Sequence, residues 1–566
     1  MDGTDMNGTG TRSAAPSRRR LFRAWSYGLA AVAVGTAVMT GTFTAGGAAS
    51  AAVPGSGGSA TGYWPVAGQN LDDTHFQAAE HQIFPANVHT LAPKWTLTTN
   101  GNVAATPTVY GGAVYAPDQG GTLWAVDARS GRVRWSHSIA GYTGVAGDLS
   151  RVSPAVYGNE LVTGDGWVVS PTNTGGARVF AVSRQTGKLL WVTKVDSFIG
   201  SVITSSPVVY HGVAYVGISS NEEGLATTAG YQCCVFRGAV VALDARTGRL
   251  LWKAYLAPSN NHGGDVNIPG YYSGVAVWGS SPAVDPRRGL LYVATGNNYT
   301  TPPGVCTLPG QTGCTPPAAD DYVDSILALN MRTGAVAWAD RTLTSDVGTS
   351  ACKQRGVTCG PDYDFGSMPN LFTTTDPRTG QREQLLGTGQ KSGVYTAVDP
   401  ANGHVVWATA VGPGANGGGI QWGSATDGRR VYVAEANTSH IKYTLGGSGP
   451  YAGQSSTSGS WAALDAATGK ILWQTPDPQG AADRGFVSAA DGVMYAGSNA
   501  GTGDNMYALD AATGTIRWRF ASGGAVISGA AIVGNSVYWG SGYYTAICPP
   551  GVTCGPNNKL YAFSVG

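Results

Sequence analysis

Along most of the chain, apolar positions alternate with small or polar ones in short bursts around glycine-containing turns. Thr106-Pro-Thr-Val-Tyr-Gly-Gly-Ala-Val-Tyr115, Ser206-Pro-Val-Val-Tyr-His-Gly-Val-Ala-Tyr215 and Ala530-Ala-Ile-Val-Gly-Asn-Ser-Val-Tyr538 each read as strand, turn, strand. A second unit follows each of them: Ala, a hydrophobic residue, Asp, two residues, Thr-Gly, then a Trp beyond the turn. It recurs as Ala125–Trp135, Ala181–Trp191, Ala242–Trp252, Ala328–Trp338, Ala397–Trp407, Ala463–Trp473 and Ala508–Trp518, with Ser or Asn at some of its polar positions. The polar-Gly stretch predicts a tight turn with glycine at positive φ, and the Trp falls on the strand that follows.

Two strands from each unit give four per repeat. An eighth repeat is split, with Leu560–Val565 at the C-terminal end and the orphan Lys94-Trp95 early in the chain. Repeats of this size predict an all-β, eight-bladed β-propeller whose last blade is completed by an N-terminal strand, so that no sheet edge stays open. The recurring tryptophans are then packing residues between blades. Their spacing grows from 40 residues (Trp95 to Trp135) to 86 (Trp252 to Trp338), so insertions decorate blades three to six.

Composition agrees and excludes some partners. The 566 residues include 84 Gly, 16 Trp and 26 Tyr, a mixture suited to many short strands and turns. Charged residues are only 12% with a formal net charge of +1, which argues against a nucleic-acid partner. Ser17-Arg-Arg-Arg-Leu-Phe22, the Ala/Gly/Val-rich run from Tyr27 and Ala49-Ser-Ala51 read as an export signal over residues 1–51. It resembles a twin-arginine signal, with the general secretory route as the alternative and a membrane anchor as the rival reading. Residues 52–90 are then a lead-in, 91–566 the propeller, and the mature chain has no membrane span. Eight cysteines in four close pairs (233/234, 306/314, 352/359, 548/554) fit disulfides of an exported protein better than zinc.

The repeat resembles that of the pyrroloquinoline quinone (PQQ) dehydrogenases, over roughly residues 62–566. The adjacent Cys233-Cys234 is similar to the paired cysteines of that family's alcohol dehydrogenases, whose ring packs on one face of the planar cofactor. Val277-Trp278-Gly279 matches the tryptophan on the other face. By the same resemblance, Ser219-Ser-Asn-Glu222 and Thr295-Gly-Asn297 supply calcium ligands through Glu222 and Asn297, with Glu223 and Asn298 as neighbours one register away. Oxygen donors of this kind suit Ca2+.

Tyr363-Asp-Phe-Gly366 resembles the segment carrying the family's general base, which makes Asp364 the base and a neighbour of the ion. Gly389-Gln-Lys391-Ser-Gly393 places Lys391 where a cation contacts the quinone oxygens. Thr204, Ser219, Arg237 and Trp422 match further cofactor contacts. The cysteines follow the calcium Glu within one blade, as in the polyvinyl alcohol dehydrogenase branch, whereas the methanol-type enzymes place them well before it. Ala104-Ala105-Thr106-Pro107 stands where the methanol-type enzymes carry an acidic residue. The resemblance implies an exported PQQ- and Ca2+-dependent enzyme that oxidises a small or polymeric alcohol. Because Cys-x-x-Cys-His is absent, electrons pass to a separate acceptor. The rival from another class is a non-catalytic propeller scaffold, which has no use for these residues together. His262, in Asn260-Asn-His-Gly-Gly, is read as a loop residue.

Overall fold

The strand–turn–strand units build blades as the pattern predicts. The computed structural model describes residues 62–166, 175–260, 264–279, 281–352, 358–367, 369–543 and 555–566. The export signal, His262 and the Cys548/Cys554 pair lie outside these residues. Among the described residues, eight antiparallel sheets of four or five strands follow one another in chain order. The first is Thr108–Tyr110, Ala113–Pro117, Thr122–Asp127 and Val133–Ser138. The eighth pairs Ala531–Val533, Ser536–Ser541 and Lys559–Ser564 with the N-terminal strand Ala92–Thr98. The ring is an eight-bladed β-propeller closed by hydrogen bonds between the two ends of the domain, including Trp95 opposite Ala562.

The repeat's Trp and Gly are two halves of one joint. Each recurring indole donates its Nε1–H to a backbone carbonyl of the next blade: Trp135 to Arg184 (3.0 Å), Trp191 to Ala245 (2.9 Å), Trp252 to Met331 (3.0 Å), Trp338 to Pro400 (3.1 Å), Trp407 to Ala466 (3.2 Å) and Trp473 to Ala511 (3.0 Å). Trp518 to Leu91 (2.8 Å) and Trp95 to Ala128 (3.1 Å) carry the series across the closure. Except at Trp518, the glycine of the next blade's turn lies beneath the ring. At Gly334, for example, φ is +74° and a Cβ would fall 2.6 Å from the Trp252 ring. Only glycine meets both the positive φ and the close approach.

The lead-in carries no repeat, yet it touches nearly every blade. Trp64 exchanges two backbone hydrogen bonds with Val109 of the first blade. Pro65 then accepts from Val156, Leu71 from Val284, Asp72 from Leu371 and Thr74 from Thr426. Gln77 donates to Ala489, and its side chain to Ile532. Residues 64–77 therefore run past the first strands of seven blades in the order the blades follow in the chain. Ala67 and His75 meet the aromatic cluster of Trp422 and Phe486, so this strap supports one side of the site described next.

Of the three expected disulfides that fall among the described residues, two form, Cys233–Cys234 and Cys306–Cys314. The expected Cys352–Cys359 bond does not. Cys352 Sγ is instead buried and accepts the Thr349 N–H at 3.0 Å, although both cysteines lie near Gly348.

Candidate active site

Blades four and five bring the charged residues together. Thr295-Gly296-Asn297 follows the strand Leu290–Ala294, and a Cβ at Gly296 would fall 2.6 Å from the Asp364 carboxylate, so glycine makes room for the acid. Asp364 is 5% exposed and holds fixed partners on both oxygens. The Asn297 N–H donates to Oδ1 at 2.7 Å, and Lys391 Nζ to Oδ2 at 2.7 Å. Lys391 also donates to Asp362 at 2.8 Å, and its ammonium lies 5.2 Å from the Trp278 ring centroid. The Asn297 side chain is fixed through Nδ2, which donates to the Gly348 carbonyl at 3.0 Å.

Carboxyl groups outnumber cations here. Burial opposes the Lys391 charge, but Asp362, Asp364 and Glu223 outweigh it and hold the ammonium well above the usual lysine range. Burial and the neighbouring acids hold Glu223 up at about 7, and push Asp362 and Asp324 well above the carboxylate range. Asp346 orients the segment by accepting the N–H groups of Asp362 (3.1 Å) and Tyr363 (2.8 Å). Acids crowded this closely around one lysine hold on to protons that a bound cation would displace. Among the described residues, no three His, Cys, Asp or Glu side chains form a metal site by themselves. Any ion here must therefore also draw on amide oxygens or on a bound group.

The register one residue away decides which glutamate faces this cluster. Glu222 is fully buried and turned toward the cysteine loop. It accepts from Tyr231 Oη, the Val235 N–H and the Phe236 N–H, each at 2.8 Å, and so pins the residues that follow Cys234. Glu223 is the member of the pair whose charge is coupled to Lys391, Asp364 and Asp346. Of the two asparagines, Asn297 meets Asp364, whereas Asn298 donates to Asp321 at 3.0 Å.

Planar surfaces adjoin the charged group. Trp278 and the partly buried Cys233 pack on the same hydrophobic core as Cys234. Trp278 meets Trp422 edge to face at 5.6 Å. Trp422 holds φ at +62° and bonds Gly366 O through its N–H at 2.8 Å. The indole N–H groups of Trp278 and Trp422 and the hydroxyl of Thr204 are buried with no acceptor or donor among the described residues. Buried polar atoms normally find partners, so three orphans mark a place for a polar ligand. Ser219 is buried on the same blade as Thr204.

Arg237 stands apart from this group. Its guanidinium donates to the carbonyls of Ala257 (2.8 Å) and Gly264 (3.0 Å) and stacks 4.1 Å from the Tyr255 ring. The arginine beside these tryptophans is instead Arg151, 4.5 Å from the Trp422 ring centroid, while Arg484 interacts with Tyr543, which meets the same ring; neither arginine sits in a recognisable motif.

A family profile described as the glucose/ethanol/alcohol dehydrogenase β-propeller domain of the PQQ type matches residues 64–411. A second, described as outer membrane protein assembly factor BamB, matches residues 457–553. The chain is 30% identical to a polyvinylalcohol dehydrogenase of a Pseudomonas species, over 85% of this chain and 73% of that protein. It is 32% identical to a polyvinylalcohol dehydrogenase of Sphingopyxis sp. strain 113P3, over 74% of this chain and 61% of that one. The fold is similar to the crystal structure of the quinohemoprotein alcohol dehydrogenase from Comamonas testosteroni, with a TM-score of 0.66 at 18% identity over 89% of this chain and 80% of that one.

Proposed function

The chain belongs to the PQQ-dependent alcohol dehydrogenase family, and on that basis we propose that it oxidises an alcohol of the polyvinyl alcohol type with PQQ and Ca2+ bound beside Asp364 and Lys391. The observation that carries the reading is the convergence of Asn297, Asp364 and Lys391 near the Trp278 and Trp422 indoles, whose buried N–H groups lack acceptors among the described residues. These residues fit the cofactor, since a planar, oxygen-rich ligand would cover the Trp278 face and satisfy the orphaned donors. Bound PQQ supplies the quinone that accepts hydride.

The protein's own part is to hold charge and move one proton. Asp364, fixed at both oxygens, accepts the substrate hydroxyl proton. Lys391 stays protonated and stabilises negative charge developing beside it. Asp362, Asp364 and Lys391 are each less than 9% exposed, which keeps bulk water from competing. Glu223, Asn297 Oδ1 and Asp364 are the oxygen donors this chain offers to Ca2+, so Glu223 takes the role first expected of Glu222. Glu222 and the Cys233–Cys234 loop form the support behind it.

Residues 1–51 act as a cleaved export signal, so the mature enzyme works outside the cytoplasm and passes electrons to a separate acceptor. Among the described residues no helix is long and apolar enough to cross a membrane. The assembly-factor match at residues 457–553 favours a second reading, a protein-binding scaffold, which gives no role to the buried charges around Lys391. Dye-linked oxidation by protein reconstituted with PQQ and Ca2+, across small and polymeric primary and secondary alcohols, tests the proposal. Asp364→Asn should keep cofactor binding and lower turnover by about 10²–10⁴-fold, the usual contribution of a general base. Undiminished turnover in that variant would remove Asp364 from the mechanism.

A further inference from the structure

Glu223 and Asn297, two of the donors offered to the ion, come from different blades, and one buried phenol touches the elements that carry both. Asn298–Thr300 is a short strand that pairs with Ser273–Gly274. Successive residues of a strand face opposite sides, so Asn298 turns to Asp321 while Tyr299 turns the other way, toward blade three. Its ring stacks on Phe236, with centroids 6.4 Å apart and an interplanar angle of 27°. Gly274 makes room for it. There φ is +94°, and a Cβ would fall 3.0 Å from Tyr299 Cδ1 and 2.6 Å from its backbone nitrogen.

The phenol reaches the element that carries the glutamates. Ser220 ends the strand Val213–Ser220, and the helix Glu222–Leu225 follows at once. Ser220 Oγ accepts the Glu222 N–H at 3.3 Å and donates to Tyr299 Oη at 3.5 Å. Phe236, against the Tyr299 ring, places its own N–H on Glu222 Oε2 at 2.8 Å. Tyr299 therefore meets the glutamate helix twice, through a hydroxyl where the helix begins and through a ring on the residue that Glu222 fixes. Two residues before it in the chain stands Asn297, whose N–H lies on Asp364. Burial first, and the Glu223 charge second, keep the phenol protonated.

We propose that Tyr299 is the positioning residue that sets the spacing between Glu223 on blade three and Asn297 on blade four, so that one Ca2+ reaches both. A cation shared by two blades needs them at one separation, and supporting hydrogen bonds hold ligand-bearing elements to it. The proposal rests on the calcium reading above. It gives a task to a buried hydroxyl that the proposed chemistry does not use: the phenol ties the two elements, and the glutamate and the amide bind.

The test is calorimetric titration of calcium chloride into the apo-protein, alone and with PQQ present, for wild type, Tyr299→Phe, Ser220→Ala and the double variant. Tyr299→Phe keeps the ring on Phe236 and removes only the hydroxyl, and circular dichroism and Tm show that each variant folds. In the expected result calcium affinity falls about 5–10-fold in each single variant, the size of one hydrogen bond, while Tyr299→Phe unfolds within about 2 °C of wild type. Both single variants cut the same bond, so the double variant should bind calcium as Ser220→Ala does. Unchanged calcium affinity in Tyr299→Phe overturns the proposal, whether or not its Tm falls. Losses that simply add in the double variant overturn it as well. Glu223→Gln separates this assignment from the reading beneath it: if wild type binds calcium and Glu223→Gln does not, the site stands and only the tie is at stake. If wild type binds no calcium, the calcium reading itself fails and this assignment falls with it.

Discussion

Replacing Glu222 and Glu223 separately by glutamine distinguishes the supporting carboxylate from the one offered to the ion. The Glu222 side chain receives two donors on Oε1 and one on Oε2. In Glu222→Gln, an amide group that keeps its oxygen toward Tyr231 and Val235 points its NH2 at the Phe236 N–H. One charge-assisted bond is then lost and a buried N–H is left unsatisfied, for a cost of about 3 kcal/mol. The loosened segment is the one that holds Cys233 and Cys234. Glu223→Gln removes one of several like charges, so it should leave the fold intact and instead weaken cation binding. Thermal unfolding of the apo-proteins and calcium titration by calorimetry read the two effects. Glu222→Gln should unfold several degrees below wild type, whereas Glu223→Gln should match it in Tm and lose calcium-dependent retention of PQQ. The opposite pattern, with Glu222→Gln stable but blind to calcium, would refute the register assigned here.

Three further outcomes follow from the same physics. Burial raises the Glu435 pKa from 4.5 to about 8, so its folded form keeps a proton that the unfolded chain releases. The stability it allows is complete below pH 4.5 and is lost as pH rises to 8, about 3 kcal/mol of it by pH 7. Glu435→Gln should therefore raise Tm at pH 8 and flatten the pH profile of Tm, leaving the slope due to the buried acids Asp477 and Asp483; an unchanged profile would contradict this. Gly334→Ala puts a methyl group against Trp252 at positive φ and should destabilise the protein by about 3 kcal/mol, measured as a drop in Tm. Lys391→Met leaves Asp362 and Asp364 buried without their cation and should cost about 3–5 kcal/mol in the apo-protein at neutral pH, measured as a drop in Tm.

The propeller was legible because its signal is repeated. Trp recurs at all eight blade joints with a turn Gly against it at seven of them, and the indole-to-carbonyl bond with the close approach gives both a reason to be there. Asn297, Asp364, Lys391, Trp278 and Trp422 were legible as a resemblance, and the fold brings them together at one place. Other features depend on direction rather than spacing. On the short helix Glu222–Leu225, successive side chains point to different sides, so no pattern in Glu222-Glu223 says which meets Lys391. Arg237 follows the cysteines closely in sequence, but its guanidinium is drawn to the Ala257 and Gly264 carbonyls. Arg151 and Arg484 come from distant blades, and only ring closure sets them around Tyr543. The strap at residues 64–77 has no periodicity, because its partners are backbone groups of seven different blades.

The most direct test of the central claim is a crystal structure of the protein reconstituted with PQQ and Ca2+. The account predicts a planar cofactor between Trp278 and the Cys233–Cys234 ring, with the ion held by Glu223, Asn297 and Asp364 and the Lys391 ammonium beside the quinone oxygens. A cofactor bound elsewhere, or an ion held by Glu222 with Glu223 turned to solvent, would contradict it.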